Sequence, residues 1–168
     1  MIRFLLSLCL VVSFAIAQPP GQRGGVANIM NSPEVLNYPL TMDKVEKWAA
    51  TNRTLLPYIK AHADTMKKMA QPGAAEIKNL DDLARWAKAQ AADYVALIEG
   101  AGLTFKDYLL ISFAISTSFA AEAMAERGGQ MPAGMPAASP ANVAFVKANK
   151  ARIMQIFSEY QKSMASHQ

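Results

Sequence analysis

The sequence predicts an all-α protein: an up-down four-helix bundle with a kinked first helix and a central third helix that is fully apolar. Apolar residues recur at steps of three and four along four stretches of the chain, the period of a helix with one buried face. Capping and breaking residues bound these stretches. The third stretch, residues 104–128, has no charge between Asp107 and Glu122 and is apolar around its whole circumference, which predicts burial on every side.

The first 17 residues have the pattern of an export signal. Arg3 supplies a positive charge, residues 4–14 are hydrophobic, and residues 15–17 form a small-x-small cleavage motif. We therefore predict cleavage after Ala17 and a periplasmic or extracellular location. The single cysteine, Cys9, lies in this segment, so the mature chain would have no thiol for a disulfide or a thiolate metal site.

The rest of the chain predicts a lead-in and one domain. Residues 18–39 are the lead-in, which we expect to be flexible where it is rich in Pro, Gly and Gln. Its apolar end, residues 34–40, is expected to pack across the bundle. Residues 40–166 have the length of a single helical-bundle domain with a sizeable core.

The first two helical patterns have clear starts. One begins at the cap Thr41 and runs through Pro57, which predicts a kink or a restart near residues 54–56 because proline cannot donate its amide. Residues 71–73, Gln-Pro-Gly, should end it. The other begins at the cap Asn79 and continues to Gly100. Only residues 100–103 separate this second helix from the third. The second and third helices should therefore be antiparallel neighbours.

The third and fourth helices also have predicted boundaries. Thr104 with Asp107 forms a capping pattern, and Gly128 can adopt the left-handed turn after the last residue. Because the uncharged run is shorter than the roughly 20 residues a bilayer requires, we interpret this helix as a core helix and the mature chain as not transmembrane. Ser139 followed by Pro140 predicts the start of the last helix.

The charge distribution excludes a nucleic-acid footprint. Without Arg3, the 17 basic and 13 acidic residues leave a net charge of +3. The excess lies in the last helix, on a few bases that are not interleaved with exposed aromatics. A peripheral contact with anionic lipid remains open for this helix. The residues concerned are Lys147, Lys150, Arg152 and Lys162.

Three stretches carry a family resemblance: LTMDKVEKW at residues 40–48, AGLTFKDYLL at 101–110 and SPANVAFVKANK at 139–150. They resemble, in the same order, phrases of an uncharacterised family of small exported bacterial all-helical proteins. The similarity covers most of the chain from residue 40 onward. What it implies is an exported helical domain, with no activity, cofactor or functional residue attached.

A soft-metal site is one candidate for chemistry. His62, Met66 and Met69 share a helix face, and Met131 and Met135 lie in a later loop. Imidazole and thioether ligands suit copper(I), or an axial pair on haem. The alternative is that Met66 and Met69 fill the core and His62 has one hydrogen-bond partner. The same residues fit the apolar repeat, so no cofactor is predicted.

Carboxylates and buried polar residues are the other candidates. Glu122 and Glu126 lie one turn apart and are interpreted as a solvated end with Arg127 rather than as a catalytic pair. Asn52 and Asn149 interrupt apolar stripes, so a mutual or backbone hydrogen bond that fixes helix register is expected. A further polar cluster, for close packing or a pocket, is Ser112, Ser116, Thr117 and Ser118.

The sequence therefore predicts a non-enzymatic exported module that binds a protein or a small apolar molecule. Two alternatives stay open. One is a copper or haem carrier that uses His62, Met66 and Met69, and the other is an enzyme that uses Glu122 and Glu126.

Overall fold

The computed structural model describes residues 28–69, 77–129 and 136–165. The predicted export signal, the helix stop at residues 71–73, and Met131 and Met135 lie outside the described residues. Within the described ranges all regular structure is helical and no strand is present, which confirms the all-α class. A helical turn at residues 28–30 is followed by α1 (Pro33–Leu36), α2 (Met42–Ala61), α3 (Ala63–Met69), α4 (Leu80–Gln90), α5 (Ala92–Gly100), α6 (Phe105–Glu126) and α7 (Pro140–Ala165).

The predicted caps are confirmed. The Thr41 side chain accepts a hydrogen bond from the Lys44 amide at the start of α2. Asn79 caps α4 in the same way, and Thr104 caps α6 by accepting from the Asp107 amide at 3.0 Å. Each cap satisfies an amide that the first helical turn leaves without a partner. The last helix begins at Pro140, as predicted.

Gly128 ends α6 in the predicted left-handed conformation, with φ +67°. Its amide donates to the Ala125 carbonyl at 3.0 Å, and the Gly129 amide donates to the Met124 carbonyl at 3.0 Å. These two bonds form the Schellman motif, which pairs carbonyls at a helix end. A residue with a β-carbon would be strained at this φ.

The first predicted helix does not restart near residues 54–56. Pro57 lies inside α2, which continues to Ala61, and the chain leaves helical geometry only at His62 (φ −124°, ψ 40°). The new helix, α3, begins at Ala63. The restart therefore comes after the proline, where the sequence offers no breaking residue.

The second predicted helix is two helices. Ala91, with φ −152° and ψ 65°, separates α4 from α5. Alanine is the best helix former, so local propensity does not cause this break. Ala91 is buried in the core. The interruption is thus set by tertiary packing, which a single sequence does not reveal.

Helix α6 lies at the centre of the described structure. It contacts α1, α2, α4, α5 and α7. Every residue from 108 to 115 is buried, and residues 119–121 are half-buried. The expectation of a core helix covered on all sides is confirmed for its first half, and its second half is less completely covered.

Helix α6 is not too short to cross a bilayer, so the prediction made from its uncharged run is wrong on this point. Helix α6 has 22 residues with a mean hydropathy of 1.4 in its most apolar window, so it is long and apolar enough to cross a bilayer. The central helix of a protein core can be equally long and apolar. In α6, 61% of the most apolar stretch is buried inside the protein. Its burial, and not its length, is the reason to treat it as a core helix.

The flexible lead-in predicted for residues 18–39 ends earlier than expected. Ile29, Met30 and Val35 are buried in the same core as α6. Packing of this kind was expected only for residues 34–40. The folded part therefore begins before residue 40.

Asn142 holds this N-terminal segment to α7. Its Oδ1 accepts from the Leu40 amide at 3.0 Å, and its Nδ2 donates to the Tyr38 carbonyl at 2.8 Å. The side chain is 3% exposed. Both backbone groups lie just before the cap Thr41, outside any helix. The side-chain amide of Asn142 therefore supplies the hydrogen-bond partners that a helix would otherwise provide.

We predict that Asn142→Ala lowers the free energy of unfolding by about 2 kcal/mol, because it leaves two backbone groups unpaired. Urea unfolding followed by circular dichroism measures this. Asn149→Ala on the same helix is the matched control: Asn149 is half-buried and bonds only to the Phe145 carbonyl of its own helix. It should change stability by less than about 0.5 kcal/mol. Equal effects of the two variants would contradict this role for Asn142.

Candidate functional site

A buried hydrogen-bond network joins α2 to α6. The Trp48 indole Nε1 donates to Ser112 Oγ at 2.7 Å, and Ser112 Oγ donates to the Tyr108 carbonyl at 2.6 Å. The network exists because Trp48 and Ser112 face each other across the two helices. A buried indole N–H needs an acceptor, and this serine supplies one.

Asn52 closes the network. The Tyr108 hydroxyl donates to Asn52 Oδ1 at 2.9 Å, and Asn52 Nδ2 donates to the Trp48 carbonyl at 2.8 Å. Asn52 is therefore a buried amide with a backbone partner, as expected. The contacts that hold it come from Trp48 and Tyr108. Asn149 bonds to its own helix and is only half-buried.

Three further tyrosines surround this network. The hydroxyls of Tyr94 and Tyr108 are 3.5 Å apart, and the rings of Tyr58 and Tyr94 are 5.8 Å apart. Burial raises the pKa of Tyr108 well above its ordinary value, and burial also raises the pKa of Tyr94. Burial raises the pKa of Tyr160 to about 12. Tyr108, Tyr94 and Tyr160 are therefore neutral at physiological pH and do not act as bases. Tyr108 and Tyr94 use their hydroxyls as hydrogen-bonding groups.

The hydroxyl cluster of α6 does not form one site. Ser112 belongs to the network, and Thr117 Oγ1 bonds back to the Phe113 carbonyl at 2.9 Å. Ser118 is 0% exposed, and among the residues that the structure describes its hydroxyl has no hydrogen-bond partner. Ser116 is half-buried. Ser118 is thus a place where small size permits close packing at the expense of an unpaired hydroxyl.

Glu122 and Glu126 share one cation. Lys150 Nζ on α7 lies 3.1 and 3.0 Å from the Glu122 oxygens and 2.7 Å from Glu126 Oε1. The expectation of a solvated end with Arg127 is wrong for Glu122, which is 4% exposed. Hydrogen bonds from Lys150 lower the pKa of Glu126, and bonds to Glu126 and Glu122 raise the pKa of Lys150. The arrangement is a clamp between α6 and α7.

The proposed copper or haem ligands have different environments. His62 is exposed, its Nδ1 lies 3.0 Å from the Tyr58 carbonyl, and its ring stacks on Tyr58 with centroids 4.0 Å apart. Met66 and Met69 are buried members of the hydrophobic core. The structure therefore packs the two thioethers inside and leaves the imidazole at the surface.

Two of the four basic residues of α7 form ion pairs with glutamates of neighbouring helices. Arg152 binds Glu46 on α2 at 2.8 Å, and Lys150 binds the two glutamates of α6. Lys147 and Lys162 are exposed. Two of the four cations expected to meet anionic lipid therefore connect α7 to neighbouring helices.

Sequence reasoning missed Asn142 and Lys150 as structural partners. Asn142 lies just inside a helix start, where an asparagine is easily taken for an ordinary surface residue. Lys150 was assigned to a solvated basic face. The available signal was that Glu122 falls near the end of an otherwise uncharged buried helix, which requires a cation from elsewhere in the chain.

We predict opposite outcomes for two buried serines of α6. Ser112→Ala removes the acceptor for the Trp48 indole and should lower the free energy of unfolding by about 1–3 kcal/mol. Ser118→Ala removes a hydroxyl that has no partner and should leave stability unchanged or raise it. Urea unfolding of both variants gives the comparison. If both variants lose the same free energy of unfolding, the hydrogen bond from Trp48 to Ser112 does not stabilise the protein specifically.

Among residues 28–69, 77–129 and 136–165, no group of three or more His, Cys, Asp or Glu side chains is placed to hold a metal ion. The buried polar contacts between elements of the described structure include the network of α2 and α6, the Asn142 contacts and the Lys150 clamp. Compared with known proteins, the chain matches no family model, no curated protein and no solved structure.

Proposed function

We propose that the protein is an exported helical domain that acts by binding a partner and not by catalysis. One observation carries this proposal: the polar side chains of the network between α2 and α6 satisfy one another. Trp48, Asn52 and Tyr108 use their hydrogen-bonding groups between α2 and α6. These hydrogen bonds stabilise the fold and leave the groups unavailable to a ligand. A partner would therefore be recognised by the outer surface of the protein.

The finer architecture is part of the proposal. The helices would form an up-down bundle of four rods: α2 with α3, α4 with α5, α6, and α7. The first rod would bend in the region between Pro57 and His62. Support comes from the four-residue connection between α5 and α6, which favours antiparallel neighbours, and from the contacts of α2 with α5, α6 and α7.

Export is proposed from the N-terminal pattern and from the family resemblance. Cleavage after Ala17 would leave a mature chain that begins at Gln18 and has no cysteine. Such a chain needs no particular redox environment. Its helices are instead connected by apolar packing and by ion pairs such as Arg152 with Glu46.

The two alternative functions have less support. A copper or haem carrier would require the exposed His62 to act together with Met66 and Met69, which are packed in the core. A carboxylate enzyme would require both Glu122 and Glu126 to face a substrate, but Glu122 is buried and both carboxylates bind Lys150.

The outer surface offers two large apolar side chains as probes. Leu97 on α5 is 36% exposed and Met154 on α7 is 43% exposed. Single exposed apolar residues are ordinary on a protein surface, so neither marks a site by itself. They do provide well-separated reporter positions on two different helices.

We expect a photo-crosslinking residue at one of these positions to capture a discrete partner. The chain would carry benzoylphenylalanine at Met154 or at Leu97 and be expressed in the cells that produce it. A control at exposed Lys67 on α3 reports non-specific capture. The expected result is one adduct at Met154 or Leu97 that is absent at Lys67, on a mature chain whose N-terminus is Gln18.

Two results would contradict the proposal. One is a protein that turns over a defined substrate and loses this activity in Glu122→Gln with Glu126→Gln. The other is the absence of an adduct at both reporter positions together with a purified protein that carries no bound molecule in native mass spectrometry. Retention of residues 1–17 would overturn the export claim alone.

A further inference from the structure

A continuous row of aromatic rings connects the core to the surface. The rings of Trp48 and Tyr108 are stacked with centroids 6.4 Å apart. Tyr108 meets Tyr94 through hydroxyls 3.5 Å apart, and Tyr94 meets Tyr58 with ring centroids 5.8 Å apart. The first and last of these contacts lie within the usual range for interacting rings. The middle one joins Tyr108 to Tyr94 through their hydroxyl groups. We call Trp48, Tyr108, Tyr94 and Tyr58 the aromatic row.

The row has a gradient of exposure. Trp48, Tyr108 and Tyr94 are buried, whereas Tyr58 is half-buried and stacks on the exposed ring of His62. All four members are indoles or phenols, the two side-chain types that lose one electron most readily apart from thiols and thioethers. The mature chain would have no cysteine to compete with them.

We propose that the aromatic row conducts an oxidising equivalent from Trp48 in the core to Tyr58 at the surface. The co-reactant is a one-electron oxidant, such as an oxygen-centred radical, which removes an electron from the Trp48 indole. The electron vacancy then passes to Tyr108, Tyr94 and Tyr58 in turn, because aromatic side chains this close together, through stacked rings or hydrogen-bonded hydroxyls, exchange electrons rapidly. A protein working outside the cell meets such radicals, and the row would remove the damage from its core.

The electrons and protons balance at the ends of the row. Trp48 loses one electron to the oxidant and regains one from Tyr108. Tyr108 and Tyr94 are each oxidised and then reduced, so neither changes overall. Tyr58 gives one electron to Tyr94, and its phenolic proton passes to water. A neutral phenoxyl radical remains at the surface. The only bond broken overall is the Tyr58 O–H bond.

The local hydrogen bonds support this direction. The Tyr108 hydroxyl donates to Asn52 Oδ1, an amide oxygen that is too weak a base to keep the proton of an oxidised phenol. The oxidised state is therefore short-lived at Tyr108. Tyr58 is partly exposed and can release its proton to solvent. Near neutral pH a phenol that loses its proton is also oxidised more easily than an indole, so the last step is favourable.

Laser photoionisation of the full chain tests the proposal. The chain has two tryptophans, so Trp86→Phe leaves Trp48 as the only indole. In this background we expect the indole radical to decay as a phenoxyl radical appears, and a nitroso spin trap to label Tyr58 in peptide mass spectrometry. Tyr108→Phe should prolong the indole radical at least tenfold, since phenylalanine is not oxidised by it.

A second variant tests the later steps. Tyr94→Phe should remove the label from Tyr58 and also prolong the indole radical, because oxidised Tyr108 cannot lose its proton to Asn52 and returns the vacancy to Trp48. Tyr38→Phe, outside the row, is the matched control and should change neither reading. Circular dichroism confirms that each variant is folded. The proposal is overturned if indole decay is the same in Tyr108→Phe, if labelling of Tyr58 survives Tyr94→Phe, or if the unmodified row labels Tyr160 instead.

Discussion

The burial of α6 by the rest of the chain is the constraint on which this structure depends. Every residue from 108 to 115 is buried, so the helix has no face that can be left to water. Apolar burial of this extent supplies the main driving force for folding, but it also removes water from each polar group that the helix carries. Ser112 and the Tyr108 hydroxyl must therefore find partners on α2, and Trp48 and Asn52 provide them.

The remaining contacts of α6 fix its two ends. At its start, Lys106 binds Glu34 of α1 at 2.6 Å and Asp81 of α4 at 3.0 Å. At its end, Lys150 of α7 neutralises Glu122. Exposed ion pairs add little stability, but a buried carboxylate without its cation would be costly. The clamp of α6 to α7 is therefore a condition for burying Glu122 in the protein. The ion pairs at the start of α6 mainly set the orientation of the helix.

Local features of the fold could be predicted from the sequence, and long-range ones could not. Caps such as Thr104 depend on residues three positions away, so they are visible in the sequence. Asn142 bonds to the Leu40 amide across 102 residues, and no local pattern encodes that distance. The break at Ala91 could not be predicted from local sequence either, because tertiary packing outweighs the helix propensity of alanine there. In the candidate site, the place of Asn52 in an apolar stripe predicts its burial, whereas nothing near Lys150 in the sequence indicates that it pairs with Glu122.

Native-state hydrogen exchange of the amides of α6 tests the central claim most directly. If the helix is enclosed by its own chain, the amides of residues 108–115 exchange only through global unfolding. Their opening free energies should then equal that of urea unfolding and fall with urea at the same slope. Exchange of these amides through local opening, with protection no greater than that at the exposed end of α2, would contradict the account.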